Sequence, residues 1–439
     1  MALILTATDA LSQRGGCEFP DPRCVPADEE ERILQVLEQT PDGELFLRND
    51  LAWPLPGRPM WSTSGTLADG STCFFAALGD TSEVIGKKRG GPTTSRVPSG
   101  GLHPVRAEPT LDGRFLLVAN YANTLAPGAS VASFHKSSDC SLRLADSKSH
   151  EGSSVDSRRQ QSAHVHALVP MRHGIAIATD LGQDLIFLYE VDDRDGTLRE
   201  LSRTRTAPGS GPRHAVQHPL NASLVFVIHE MGQFVAVYEL SLYLQSQHTP
   251  PGATAQPRSL RLVCRHSLVF QDSRSVLDDN GAWPSASDKA AEIVIRSDGQ
   301  FLYASNRGPS ADTVSVFQVL PGGQLAMRQR VDVARWPRGM ALTHGDGFLL
   351  VAEQTHGTVT AYSVGRDDGR LSPTSFKSAA MPHTASLSAL ALGSSAALQA
   401  GAPLEGVTLA FPAPLLLLLA AWLWVGRRWK RAAAQCALL

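Results

Sequence analysis

Apolar runs of about five residues recur along the middle of the chain, each opening after a Gly or Asp turn. They are Phe115-Leu-Leu-Val-Ala, Ile175-Ala-Ile-Ala-Thr, Val225-Phe-Val-Ile-His, Phe301-Leu-Tyr-Ala-Ser and Phe348-Leu-Leu-Val-Ala. Unbroken runs of this length, bounded by turn residues, predict strands buried on both faces. Each is followed by a second run with an aromatic end: Val131-Ala-Ser-Phe, Leu185-Ile-Phe-Leu-Tyr, Phe234-Val-Ala-Val-Tyr, Val314-Ser-Val-Phe and Val359-Thr-Ala-Tyr. Turns such as Asp193-Arg-Asp-Gly-Thr-Leu198, Pro321-Gly-Gly-Gln-Leu325 and Asp367-Asp-Gly-Arg-Leu371 then close several units. The repeat is a unit of three or four short strands.

Successive first runs lie 47 to 76 residues apart, which suits the blades of a β-propeller with inserted loops better than a solenoid. A weaker sixth copy surrounds Cys73-Phe-Phe-Ala-Ala-Leu, and Glu44 to Pro54 supplies strands for another. The expectation is an all-β, seven-bladed propeller over residues 33–376, a ring that leaves only short strand edges exposed. Residues 1–32 read as disordered or weakly structured. The Ser-, Gln-, Pro- and charge-rich stretches Ser137 to Gln161 and Gln245 to Arg258 read as long surface loops.

Beyond the propeller, residues 377–406 read as a linker rich in Ala, Ser, Leu and Gly. Residues 407–426 form an almost uncharged run, followed by a basic tail, 427–439, that opens with Arg427, Arg428, Lys430 and Arg431. A helical run of that length spans a bilayer, and the basic flank suits lipid headgroups, so membrane association through this tail is expected. Docking on a partner, or prenylation at Cys436-Ala437-Leu438-Leu439, are the other readings.

The 40 basic and 42 acidic side chains nearly balance, which gives no broad positive field and argues against nucleic acid as a partner. The six cysteines, Cys17, Cys24, Cys73, Cys140, Cys264 and Cys436, form no CxxC pair and read as free thiols. With no basic n-region or sustained apolar stretch in Met1 to Gly16, a reducing, cytoplasmic-facing location follows, and the sequon Asn221-Ala222-Ser223 then stays bare.

Superposing the repeats shows where chemistry collects. Five residues after the start of each first run stand Asn120, Asp180, Glu230, Asn306 and Glu353; nine to twelve residues before that start stand His103, His164, Arg213, Glu292 and Arg338. In antiparallel hairpins both sets fall at one end of the disc, giving a polar mouth that also holds His166, His214 and Arg307. Polar strand ends that merely cap turns account for Asn120 and Asn306. They account less well for Arg and Glu in a narrow channel, where desolvation is costly without a ligand. His164-Val165-His166 sets two imidazoles on one strand face, as a general base, a hydrogen-bond donor, a packed pair, or metal ligands with Asp180 or His229. Pro208-Gly-Ser-Gly-Pro-Arg-His214 offers a cradle for a carboxylate or phosphate. No GxSxG elbow or Walker loop is present.

These residues resemble the β-propeller lactonase family, which includes propeller-type 6-phosphogluconolactonases and carboxy-muconate lactonising enzymes. The resemblance covers residues 97–366. It is carried by Leu111-Asp-Gly-Arg-Phe-Leu-Leu-Val-Ala-Asn-Tyr121, His164-Val-His166, Asp180-Leu-Gly182, Gly209-Ser-Gly-Pro-Arg-His214, His229-Glu230, Ala291-Glu-Ile293, Ser305-Asn-Arg-Gly308 and Pro337-Arg338. It implies a seven-bladed propeller with no cofactor or required metal. The catalytic set it implies is His164, His166, Arg213, Glu230 and Arg307, with His103, Asp180, His214, Glu292 and Arg338 binding a small anionic lactone. An opening blade is not legible before Arg58, and the apolar tail departs from the usual bacterial pattern.

The expected reaction is water attack on a sugar lactone, most naturally 6-phosphogluconolactone. Arginines would hold the anion, and Glu230 or a histidine of the His164–His166 pair would take the proton. The alternatives are a muconate-type cycloisomerase and a non-catalytic, membrane-tethered binding propeller.

Overall fold

A computed structural model of the chain describes residues 2–8, 33–40, 44–67, 69–122, 128–241, 259–267, 288–377 and 386–391. The described strands form seven sheets. Six are four-stranded antiparallel meanders built from consecutive strands, here blades 2 to 7. Their innermost strands are Pro59–Thr66, Pro104–Pro109, Val165–Met171, Pro212–Gln217, Lys289–Ile295 and Pro337–Leu342. Each of these packs beside the innermost strands of its two neighbours, so together they wall a central channel.

Blade 1 closes the ring from both ends of the chain. Ala2–Thr8 pairs antiparallel with Ile33–Gln39 on one side and with Ser386–Ala391 on the other. Leu45–Leu47 and Trp53–Pro54 also pair with Ile33–Gln39. Ser386–Ala391 lies between the innermost strands of blades 7 and 2. The propeller therefore extends beyond the expected span of 33–376 in both directions: a strand stands within the stretch read as weakly structured, and another within the stretch read as linker.

The unbroken apolar runs are explained by what each strand touches. Phe115, Leu117 and Ala119 pack toward blade 4, whereas Leu116 and Val118 of the same strand pack toward blade 2. Ile175 and Ile177 likewise face blade 5 while Ala176 and Ala178 face blade 3. Alternate side chains serve opposite interfaces, so neither face can be polar. Burying one such Leu or Ile contributes about 2 kcal/mol.

Two expectations are corrected here. Cys73 and Cys140 are fully buried and joined by a disulfide that ties blade 2 to blade 3, so they are not free thiols. The stretch from Ser137 to Gln161 is not all loop, because Leu142–Ser149 is the outer strand of blade 3. Among the described residues no helix is long and apolar enough to cross a membrane. The run 407–426, its basic flank, Cys436 and the loop Gln245 to Arg258 lie outside the described residues.

Candidate active site at the channel mouth

In blades 2 to 7 the pairing between the innermost strand and its neighbour slips near one end. The slips fall at Met60, Val105, His166, Arg213, Ala291 with Glu292, and Arg338. A bulge leaves its extra residue unpaired and re-aims the side chain. Repeated around the ring at one level, the device turns His166, Arg213, Glu292 and Arg338 into the channel.

The hub of the mouth is Glu230, at the end of the second strand of blade 5. Its Oε1 accepts a hydrogen bond from Arg159 Nη2 at 2.7 Å, and its Oε2 accepts from Arg213 Nε at 3.0 Å and Arg307 Nη2 at 3.4 Å. His166 Nε2 stands 4.0 Å from the same Oε2. Burial opposes ionisation of this carboxyl, but Arg159, Arg307 and Arg213 outweigh it and hold it well below the usual carboxylate range. Glu230 is thus a fixed anion that orients three guanidiniums.

Arg338 completes the charge pattern. Burial and the neighbouring Arg307 and Arg213 push its guanidinium pKa down, and among the described residues it has no hydrogen-bonded or ion-paired partner. Arg159, Arg213 and Arg307 converge on Glu230, and Arg338 adds a fourth positive charge beside them. A cluster of guanidiniums of this kind favours an anion.

Beneath this layer the channel is filled. His214 Nδ1 donates to Glu292 Oε1 at 2.7 Å, and Arg106 Nη1 stands 3.8 Å from the same oxygen. Arg106 also lies over the Trp61 ring at 4.3 Å and pairs with Glu108 at 3.2 Å. Burial first, then Arg213 and Arg106, keep His214 neutral. His214 and Glu292 form the floor of the mouth, each at most 3% exposed.

The histidines differ in what fixes them. His164 stacks on Tyr121 at 4.4 Å, and its Nδ1 lies 2.9 Å from the Tyr121 carbonyl. A carbonyl only accepts, so Nδ1 carries the proton and Nε2 keeps its lone pair. Burial also lowers the His164 pKa, which favours this neutral form. Burial, reinforced by Arg213, lowers the His166 pKa further. His103 donates to Gly79 O at 2.9 Å, and burial pushes its pKa down to about 4. It faces Arg58 and Arg338 across the mouth.

Several sequence-based candidates are occupied within the fold. Asp180 is fully buried; it accepts from His164 N–H and from Gln183, and pairs with His150, which reaches Tyr189. Its Oδ1 fixes the His164 backbone, and both of its oxygens are engaged within the fold. The Gly209-Ser-Gly211 cradle already holds a carboxylate, that of Asp184, which accepts from Gly209 and Gly211 N–H at 2.7 Å each. Asn120 is bound to Ser99 O and Ser130, Asn306 to Ala311 O, and Glu353 to Thr358 and Thr360. Of the five residues that follow the first runs, only Glu230 faces the arginines.

Arg159 and Tyr121 were missed. Arg159 comes from the stretch read as surface loop, where Asp156 Oδ1 accepts the N–H groups of Arg158 and Arg159 and so fixes the turn that sends Arg159 over the mouth. Superposing repeats cannot find it, because the loop has no counterpart in other blades. Tyr121 follows Asn120 directly, and its hydroxyl lies 3.3 Å from Arg159 Nη2. Its place beside the first ring was the available signal.

The profile of the family described as lactonase, 7-bladed beta-propeller, matches residues 82–387. A protein named 6-phosphogluconolactonase from Bacillus subtilis is 27% identical over 274 residues, which is 62% of this chain and 69% of the relative. Another of that name, from Formosa agariphila, is 27% identical over 281 residues, 62% of this chain and 70% of the relative. Among solved structures, a periplasmic gluconolactonase from Pseudomonas aeruginosa superposes with a TM-score of 0.68 at 23% identity, covering 89% of this chain and 99% of that one. With its seven blades and a matching profile over most of its length, the chain belongs to the seven-bladed β-propeller lactonase family and is a lactone-hydrolysing enzyme.

Proposed function

We propose that the substrate is a phosphorylated sugar lactone, 6-phosphogluconolactone, bound and hydrolysed at the mouth above Glu230. The observation that carries the reading is Arg338, a guanidinium beside Arg213 and Arg307 with no carboxylate of its own. The names of the two bacterial relatives support the phosphorylated substrate.

Glu230 is a poor base, since three arginines stabilise its ionised form. A neutral imidazole with a free lone pair is better placed, and His164 Nε2 is that group. Water attacks the ring carbonyl carbon while Nε2 takes its proton. The carbonyl oxygen becomes an oxyanion against the guanidiniums. Collapse breaks the ring C–O bond, and the imidazolium returns the proton to the departing alkoxide, leaving a hydroxyl and a carboxylic acid that then gives its own proton to solvent to become the carboxylate. No covalent enzyme intermediate is needed.

The test is hydrolysis of 6-phosphogluconolactone and of unphosphorylated gluconolactone, each measured above the spontaneous rate. A charge-assisted bidentate contact is worth about 3 kcal/mol, so the phosphorylated lactone should be favoured by about a hundredfold in kcat/KM. Arg213→Ala and Glu230→Gln should each abolish most of that turnover. Equal kcat/KM for the two lactones would overturn the substrate; full activity in both variants would overturn the site.

A further inference from the structure

The disulfide and the single Asn-x-Ser sequon bear on each other. Cys73 and Cys140 belong to neighbouring blades, stand 5.5 Å apart at Cα and are fully buried, so the bridge is part of the core. Structural disulfides of this kind form and persist in oxidising compartments. The expectation that the sequon stays bare rested on free thiols, and that premise does not hold for these two cysteines.

Asn221-Ala222-Ser223 sits in the turn between Pro212–Gln217 and Leu224–His229. The inner strand runs from the mouth at Arg213 down to Gln217, so this turn is on the opposite face, roughly 20 Å from the site at the rise of an extended strand. Asn221 is exposed. Its Oδ1 accepts from Ser223 N–H at 3.1 Å, while its own N–H is turned to His218 Nδ1 at 3.0 Å. Among the described residues neither Asn221 Nδ2 nor the Ser223 hydroxyl has a hydrogen-bond partner. The two atoms that a glycosyl transfer needs are unengaged, and the backbone around them is already satisfied.

We propose that Asn221 is an N-glycosylation site, modified in an oxidising secretory compartment. The donor class is an oligosaccharide linked to a polyprenyl diphosphate. Asn221 Nδ2 forms the new bond to the anomeric carbon, the C–O bond to the diphosphate breaks, the lipid diphosphate leaves with the electron pair, and Nδ2 releases one proton. The glycan projects from the face away from the mouth, so hydrolysis proceeds with or without it.

The full chain, isolated from the cells that make it, provides the test. Peptide N-glycosidase in heavy-oxygen water should lower its mass and convert residue 221 to a labelled Asp. Cys73 and Cys140 should resist alkylation in denaturant until a reductant is added. The full-length N221Q protein from the same cells should match the deglycosylated wild type in mass and keep its lactone hydrolysis. An unmodified Asn221, an N221Q protein that still loses a glycan of the same mass, or alkylation of both cysteines before reduction would each overturn the proposal. Loss of activity in N221Q would contradict the placement of the glycan on the far face.

Discussion

In the proposed mechanism Glu230 holds charge and His164 takes the proton. Glu230 stays ionised because Arg159, Arg213 and Arg307 surround it, so it holds charge and does not move protons. The base must be unprotonated to act, and burial lowers the His164 pKa from 6.5. Activity should be full above pH 6.5 and fall as the pH drops below that value and His164 gains its proton. His164→Gln should lose about a hundredfold or more in kcat together with this acid limb, whereas Glu230→Gln should lower the rate and leave the limb in place. A wild-type limb lying well below the ordinary glutamate range of about 4.3 would instead name Glu230 as the base. At this scale the sequence was informative where the repeat places a residue on a bulge or a strand end, as for Arg213, Glu230 and Arg338. It was silent on Arg159, whose loop occurs once, and on what surrounds Asp180, whose partner His150 follows the outer strand of blade 3 and reaches Tyr189 of blade 4.

The bulge shared by the inner strands is an element-scale device, and in blade 5 it depends on the turn before it. Asp184 takes the N–H groups of Gly209 and Gly211, and the φ of +60° at Gly211 lets the chain turn into Pro212 and Arg213. Asp184→Ala leaves those N–H groups without their carboxylate. Unfolding should become easier by about 2 to 4 kcal/mol, and kcat/KM should fall about tenfold as Arg213 loses its support. Unchanged thermal unfolding with wild-type kinetics would contradict this link. The sequence signalled an anion cradle correctly, but the anion comes from the neighbouring blade, and no local pattern names a partner 25 residues or more away.

The ring as a whole is held by a strand that the sequence hid. Blades 2 to 7 are consecutive in the chain and each repeats the same runs, which made them countable. Blade 1 joins Ala2–Thr8 to Ser386–Ala391, and a pairing across nearly the full chain leaves no local periodicity to read. A chain ended after residue 377 lacks the innermost strand of blade 1, which leaves the edge of Ala2–Thr8 unpaired and removes the packing against the inner strands of blades 7 and 2. Its thermal midpoint should drop by several degrees or more and its aggregation should rise, while a chain ended after residue 391 keeps the clasp; equal midpoints for the two would contradict closure by this strand.

Ring closure matters because it brings Arg213, Arg307 and Arg338 to one axis. The direct test is Arg338→Met, assayed for kcat/KM on 6-phosphogluconolactone alongside thermal unfolding. The account predicts a loss of about a hundredfold in kcat/KM with a midpoint equal to or above that of the wild type, because the substitution removes the substrate's cation and also its repulsion with Arg213 and Arg307. An unchanged kcat/KM would show that the unpaired guanidinium does not hold the substrate, and would contradict the account.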